Sequence, residues 1–165
     1  MNDCGVRYYV LLFGFGMVNT GIFYIHSVDT MTISIMRAYI SVSLKNRKSV
    51  QEELNAITQT LTKNGIEPFI FVDNYKFDVT QEKEMMQQAM TDIDRCDILL
   101  AETSEKGIGI GVEVGYAKAK NKPVIYVRKK TAEHSTTVSG ISDFQIFYND
   151  VNDLRNQLAE IIRKM

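Results

Sequence analysis

The segment that decides the fold reads Asp97-Ile-Leu-Leu-Ala-Glu102, then Thr-Ser-Glu-Lys, then Gly107-Ile-Gly-Ile-Gly-Val-Glu113-Val-Gly-Tyr-Ala117. A short apolar run bounded by acids is typical of a strand buried in a parallel sheet. Three glycines follow at alternate positions, Gly107, Gly109 and Gly111, and a helix is predicted from Val112 to Lys120. Because glycine has no Cβ, backbone N–H groups here can approach a ligand closely. The segment therefore predicts a strand, a ligand-binding loop and the start of a helix.

A single acid, Glu113, lies in the first turn of this predicted helix. Unpaired backbone donors and the positive end of the helix dipole favour an ionised carboxylate there. An ionised carboxylate is suited to act as a nucleophile or as a base. The alternative is that Glu113 only complements the helix dipole, as many acids in a first turn do. The pattern leaves both interpretations open.

The glycine pattern differs from the familiar nucleotide-binding loops. A dinucleotide fingerprint would need a third glycine at position 112 or 114, and both positions hold valine. A Walker loop is excluded because no Gly-Lys-Ser/Thr follows. A ligand would be bound here by another geometry, and no cofactor is predicted.

From Met36 onward, strand and helix patterns alternate regularly. Strands are predicted at residues 38–42, 68–72, 97–102, 124–127 and 144–147. The first helix is predicted to begin at a capping box formed by Ser49 and Glu52 and to end at Gly65. Strands alternating with helices indicate the α/β class, with a doubly wound five-stranded parallel sheet. Right-handed crossovers favour the strand order 2-1-3-4-5.

Apolar residues at helical spacing indicate which helix faces are buried. The first helix has one apolar face, formed by Val50, Leu54, Ile57 and Leu61. The helix after the polar loop 73–80 is predicted to turn Met86, Met90 and Ile93 inward. We interpret this methionine stripe as core and not as a binding surface.

In a sheet of this order, ligands bind at the carboxyl ends of the strands, where strands 1 and 3 diverge. That position brings Tyr39, Ser41 and Ser43 of the first strand and its loop toward Glu113 and the glycines. Three bases, Lys45, Arg47 and Lys48, follow the first strand. Hydroxyls, backbone donors and bases at a strand end suit a phosphate group. The alternative for the three bases is a solvated loop.

The chain has 165 residues, enough for one domain with a substantial core. Its net charge of −1 favours no nucleic-acid partner. Two cysteines make no disulfide framework, and two distant histidines suggest no metal site. A reduced cytoplasmic location is the expectation, and no membrane partner is expected.

Residues 1–35 differ from the rest of the chain. An apolar run of 18 residues at 8–25 is interrupted by Asn19 and Thr20 and has Arg7 as its nearby base. It is short for a membrane span. Three interpretations remain: a misassigned start, with the domain beginning at Met36, a weak membrane anchor, or an ordered extension.

The strand, the Gly-Ile-Gly-Val-Glu113-Val-Gly-Tyr-Ala block and the following Lys-Pro-Val-Ile resemble the nucleoside 2-deoxyribosyltransferase superfamily, and within it the branch of 2′-deoxynucleoside 5′-phosphate N-hydrolases. The resemblance runs from about Tyr39 to Tyr148. It implies a flavodoxin-like fold and cleavage of an N-glycosidic bond by Glu113 as nucleophile, with Tyr39 near the sugar. It also implies phosphate contacts from Ser43 and, across a homodimer, from Ser135.

Two positions depart from the pattern of this family. The family's aspartate, eight residues before Asp97, is replaced by Ala89, and Asp92, one turn further on, is a candidate substitute. The hydrolase branch has a phosphate-binding serine where this chain has Gly107. The resemblance therefore leaves three alternatives: hydrolysis of nucleotides, transfer of the sugar to a second base, or nucleotide binding by an inactive sensor module.

Overall fold

The structure is a computed structural model that describes residues 35–45 and 47–165. Residues 35–165 form one compact unit. Residues 1–34, and with them the apolar run that raised the question of an anchor, lie outside the described residues. In the part of the chain that is described, no helix has both the length and the apolar character needed to cross a membrane.

The described residues form one parallel sheet flanked by helices. The strands are β1 (Arg37–Ser41), β2 (Glu67–Ile70), β3 (Ile98–Glu102), β4 (Val124–Lys129) and β5 (Phe144–Tyr148). The helices are α1 (Gln51–Lys63), α2 (Phe71–Asn74), α3 (Glu82–Asp94), α4 (Ile108–Ala119), α5 (Thr136–Ile141) and α6 (Val151–Lys164). All neighbouring strands are parallel and their order is β2-β1-β3-β4-β5. The predicted fold class and strand order are confirmed.

Each face of the sheet has its own hydrophobic core, because successive strand residues point to opposite faces. On one face, Ile40 and Leu100 pack with residues of α1 and α6, including Leu54 and Leu158. On the other face, the cluster that contains Tyr39 also includes residues of α3, α4 and α5. Residues of β1 that are two positions from Tyr39 therefore point to the same face as Tyr39, toward α3 and α4.

Helix α1 follows its predicted apolar pattern. Its four predicted face residues are each at most 1% exposed: Val50, Leu54, Ile57 and Leu61. Gly65 adopts φ +75°, and N–H groups of Gly65 and Ile66 bond to the carbonyls of Thr62 and Leu61. A left-handed residue in this position closes a Schellman motif, which glycine forms without a steric penalty. The predicted helix end is confirmed.

The predicted start of α1 is wrong by one residue. The helix begins at Gln51, and its N-cap residue is Val50, which supplies no side-chain cap. The proposed capping box of Ser49 and Glu52 would have placed the cap one residue earlier. Val50 is instead held by burial, since it is only 1% exposed.

Two predictions about the segment 68–93 are also corrected. Strand β2 ends at Ile70, and the following residues, predicted as strand and loop, form the short helix α2. In α3, Met86 and Met90 are only half-buried, while Ala89 and Ile93 are buried. Met86 lines a cavity beside α3, so it is not a core residue alone.

Candidate active site

Glu113 lies in the second turn of α4, because the helix begins at Ile108 and has Gly107 as its N-cap residue. The expectation that the helix begins at Val112 and that Glu113 lies in its first turn is therefore wrong. The effect of a helix dipole falls off within the first turn. The charge of Glu113 must depend instead on the groups that contact its carboxyl.

Two hydroxyls from β1 contact the carboxyl group of Glu113. The Tyr39 hydroxyl donates a hydrogen bond to Oε1 at 2.9 Å. The Ser41 hydroxyl donates a hydrogen bond to Oε2. Residues two apart on a strand point to the same face, so β1 directs both hydroxyls toward α4. The structure thus brings together three of the predicted site residues.

The environment of Glu113 acts on its proton affinity in two opposite ways. Burial raises the pKa of Glu113 above its ordinary value, and the hydrogen bonds from Ser41 and Tyr39 offset part of this rise. The pKa of Tyr39 is raised as well, first by burial and then by the nearby Glu113 carboxylate. Tyr39 therefore keeps its proton and remains a donor to the carboxylate. This arrangement can stabilise a partly desolvated nucleophilic carboxylate.

Glu113 borders a cavity of about 580 Å³ at the carboxyl ends of the central strands. Its polar side is formed by Ser43, Lys45, Gly107 and Gly109, all predicted site residues. A Cβ on Gly107 would lie only 3.3 Å from the Cβ of Ser43. Glycine at position 107 therefore allows the β1–α1 loop and the start of α4 to approach each other beside the cavity.

The opposite side of the cavity is mainly apolar and was missed by the sequence analysis. It is lined by Phe71, Val72, Tyr75, Lys76, Phe77, Met85, Met86 and Ala89. Phe71, Tyr75 and Phe77 form an aromatic cluster, in which the Phe71 centroid lies 5.1 Å from that of Tyr75 and 6.1 Å from that of Phe77. The signal for this wall was the aromatic spacing within a segment predicted as a polar loop. The interpretation of Met86 as core only is corrected, since it also lines the cavity.

Arg47 and Asp92, two of the predicted site residues, lie outside this cavity lining and make contacts of their own. Arg47 makes a bidentate ion pair with Asp73, at 2.8 and 2.6 Å, and also contacts Gln51 at 3.0 Å. Asp92 is 2% exposed, accepts a 2.9 Å hydrogen bond from Gln88, and lies 3.9 Å from Arg95. Arg47 thus joins the β1–α1 loop to α2, and Asp92 lies behind the wall that Ala89 contributes to the cavity.

Ser135 and Gly111 border a second cavity, of about 650 Å³, which also includes Gly107. The Ser135 hydroxyl caps the short helix α5 by accepting a hydrogen bond from the backbone N–H of Val138. Within one chain, Ser135 and Glu113 therefore belong to the linings of different cavities. The two linings share Gly107 and Ile110, so the two cavities adjoin.

The fold and the site define an α/β protein with a half-buried, hydroxyl-bound carboxylate beside a cavity where the central strands diverge, the usual ligand position in a doubly wound sheet. The chain belongs to the nucleoside 2-deoxyribosyltransferase family, whose sequence model matches residues 38–158. The members of this family act as deoxyribosyltransferases or N-glycosidases, and the prediction of an enzyme of this class acting on a nucleoside or nucleotide is confirmed.

Individual relatives are distant in sequence. A protein of Thermofilum pendens named "Putative 2'-deoxynucleoside 5'-phosphate N-hydrolase 1" is 22% identical over 139 residues, covering 77% of this chain and 95% of that protein. A CMP N-glycosidase of Clostridium botulinum superposes with a TM-score of 0.56 at 18% identity, over 74% of this chain and 97% of the other. A 2-deoxyribosyltransferase of Bacillus psychrosaccharolyticus superposes with a TM-score of 0.57 at 17% identity, over 73% and 90% of the two chains. The two structures establish a shared fold.

Proposed function

We propose that the protein hydrolyses the N-glycosidic bond of a 2′-deoxynucleoside 5′-monophosphate or a related nucleotide, with Glu113 as the nucleophile. The observation that carries the proposal is the carboxyl group of Glu113, which borders a large cavity and accepts hydrogen bonds from Tyr39 and Ser41. Each carboxylate oxygen has a second lone pair, so both oxygens can accept these bonds while one attacks a carbon atom.

The reaction would proceed in two steps, as in retaining glycosidases. The Glu113 carboxylate attacks C1′ while the bond from C1′ to the base breaks, and an oxocarbenium-like transition state leads to a glycosyl ester on Glu113. A water molecule then hydrolyses this ester. Its hydroxide part bonds to C1′, and its remaining proton balances the proton that the released base acquires.

The polar side of the cavity supports a phosphate group on the substrate. Lys45 supplies a positive charge there, and Ser43 supplies a hydroxyl. The start of α4 adds backbone N–H groups that have no partner within the helix. A serine side chain at position 107 would crowd Ser43, because its Cβ would lie only 3.3 Å from the Cβ of Ser43. We therefore assign this side to the 5′-phosphate and the apolar side to the base.

Sugar transfer is the second candidate, and it is favoured by the match to a family of deoxyribosyltransferases. The two reactions share the first step and differ in whether water or a second base accepts the sugar. We also propose a homodimer, in which Ser135 of one chain reaches the phosphate bound to the other, and a cytoplasmic location.

The proposal is tested by incubating the protein with a panel of nucleosides and nucleotides and measuring the released base by chromatography. We expect release from 5′-monophosphates to exceed release from nucleosides. Glu113→Gln should abolish release, because an amide is not a nucleophilic anion. The matched control is Glu102→Gln, since the Glu102 carboxyl likewise accepts hydrogen bonds from two hydroxyls, those of Ser104 and Tyr148, but it is fully buried on the other face of the sheet.

The outcomes separate the candidates. A second base that becomes glycosylated in the reaction identifies a transferase. Binding of a nucleotide without base release identifies a binding module and contradicts the hydrolase proposal. Base release by Glu113→Gln at the rate of the unmodified protein would show that Glu113 is structural.

A further inference from the structure

The apolar wall of the cavity, opposite the side assigned to the phosphate, offers few hydrogen-bonding side chains to a departing base. Ala89 is 1% exposed and contributes only a methyl group. Among the described residues on this wall, hydrogen-bonding side chains come from Tyr75, which is half-buried, and Lys76, which is exposed. Tyr75 is therefore the less mobile of the two donors available to a base.

The hydroxyl group of Tyr75 is held in place by α3. The amide nitrogen of Gln88 donates hydrogen bonds to the Tyr75 hydroxyl at 3.1 Å and to Oδ2 of Asp92 at 2.9 Å. Gln88 and Asp92 are one helical turn apart, so they share a face of α3. The Tyr75 ring is fixed in addition by Phe71 and Phe77, with centroids 5.1 and 5.8 Å away. A buried carboxylate is thus coupled to a hydroxyl on the cavity wall both through one amide group and by its direct effect on the pKa of that hydroxyl.

We propose that Tyr75 binds the departing base through its hydroxyl group, and that Gln88 and Asp92 are positioning residues for Tyr75. The inference rests on the proposed function, because it concerns the leaving group of that reaction. It assigns Asp92 an indirect part: Asp92 acts through Gln88 and Tyr75 and does not contact the base. Any nucleobase with a ring nitrogen or carbonyl acceptor fits this site.

The chemistry requires a donor that keeps its proton. When the bond to C1′ breaks, its electron pair passes to the base, and the negative charge spreads to the ring nitrogens and carbonyl oxygens. An O–H donor aimed at one of these atoms stabilises the developing charge. Burial, followed by the Asp92 carboxylate, raises the pKa of Tyr75, so the phenol remains protonated at neutral pH. The base receives its final proton from the water that completes hydrolysis.

The first test is Tyr75→Phe, which removes the hydroxyl and keeps the ring. Loss of one donor to a developing negative charge lowers kcat by about 10²-fold in comparable sites. We expect a loss of that order with natural bases and a much smaller loss with a 4-nitrophenyl 2-deoxyriboside 5-phosphate, whose leaving group needs no donor. Tyr116→Phe is the matched control, since Tyr116 donates to Asp94 at 3.0 Å outside the cavity lining. Equal losses with both substrates would overturn the inference.

A double-mutant cycle tests the positioning residues. Asp92→Asn alone should slow base release. In the Tyr75→Phe background it should have little further effect, because the influence of Asp92 on the base passes through the Tyr75 phenol. Gln88→Leu should behave in the same way. A full effect of Asp92→Asn in the Tyr75→Phe background would overturn the indirect role of Asp92.

A binding measurement separates failure of this inference from failure of the proposed function. In the Glu113→Gln background, calorimetry with a deoxynucleoside 5′-monophosphate should show about tenfold weaker binding after Tyr75→Phe, the effect of one typical hydrogen bond. If the unmodified protein releases no base but this difference is found, the proposed function fails and Tyr75 still binds the base. If base release and binding are both unchanged by Tyr75→Phe, the inference is overturned and the proposed function stands.

Discussion

Replacing Tyr39 with phenylalanine tests how the β1 hydroxyls hold Glu113 in its ionised form. The substitution removes the 2.9 Å hydrogen bond to Oε1 but keeps the ring, which is fully buried and lies 5.9 Å from Phe69 and 6.2 Å from Phe71. A hydrogen bond to a charged group contributes about 1.5–3 kcal/mol. A neutral carboxyl would still accept such a bond, at about 0.5–1.5 kcal/mol, so the ionised form gains only about 1–1.5 kcal/mol more from it. Since about 1.4 kcal/mol of differential interaction corresponds to one pH unit, the acid limb of the pH–rate profile should move up by about one pH unit.

The direction of the shift follows from the ionised form that the bond stabilises. Burial already raises the pKa of Glu113, and without the Tyr39 hydroxyl less of this rise is offset, so protonation occurs at higher pH. Base release should therefore fall most at acidic pH and recover toward alkaline pH. The assay is the rate of base release at saturating nucleotide across this range.

Tyr148→Phe is the matched control for this experiment. Tyr148 is also a buried tyrosine that donates to a buried glutamate, Glu102, at 3.2 Å, but it lies on the α1 and α6 face of the sheet. We expect the acid limb of the pH–rate profile of Tyr148→Phe to lie at the same pH as in the unmodified protein. An unmoved limb in Tyr39→Phe, or an equal shift in both variants, would refute the role given to the Tyr39 hydroxyl.

Three further predictions concern stability and binding. Glu113→Gln should unfold at a higher temperature than the unmodified protein at neutral pH. The pKa of Glu113 is raised in the folded state, so the unmodified protein loses stability as the pH rises through that pKa, whereas glutamine stays neutral. In thermal denaturation at acidic pH, where Glu113 is also neutral, this difference should vanish. Arg47→Ala should lower stability by about 0.5–1 kcal/mol through loss of the bidentate pair with Asp73, whereas Lys164→Ala, which breaks an exposed helical pair, should have a smaller effect in denaturant titration. Ser135→Ala should raise KM for nucleotides and leave KM for nucleosides unchanged, and light scattering of that sample should find a homodimer; an unchanged KM for nucleotides would contradict the proposed contact.

Local sequence patterns predicted the strands and helices in which burial repeats regularly along the chain. The strands of the sheet are apolar runs because both of their faces are covered, and the face of α1 repeats at helical spacing because one side is buried. Gly65 predicted a helix end because few other residues adopt its left-handed conformation at low cost. These signals depend on a few neighbouring residues, so they can be recognised without knowing the tertiary contacts.

The start of α4 could not be predicted in this way. Glycines at 109 and 111 each disfavour a helix by about 1 kcal/mol, which is why a loop was expected there. In the folded protein the intervening Ile110 is only 3% exposed and packs against the sheet, and burial of such a side chain contributes about 1.5–3 kcal/mol. Tertiary packing therefore extends the helix backward and places Glu113 in its second turn.

The sequence by itself determined the class of fold, the strand order and the identity of Glu113 and Tyr39 as partners near one strand end. Only the tertiary structure decided which groups contact the carboxyl of Glu113. These are the hydroxyls of Tyr39 and Ser41, whereas the sequence had suggested the helix dipole. It also decided that Arg47 binds Asp73 and that Asp92 lies behind the cavity wall. The physical reason is that hydrogen bonds and burial between residues far apart in the chain depend on side-chain positions, which no local periodicity encodes.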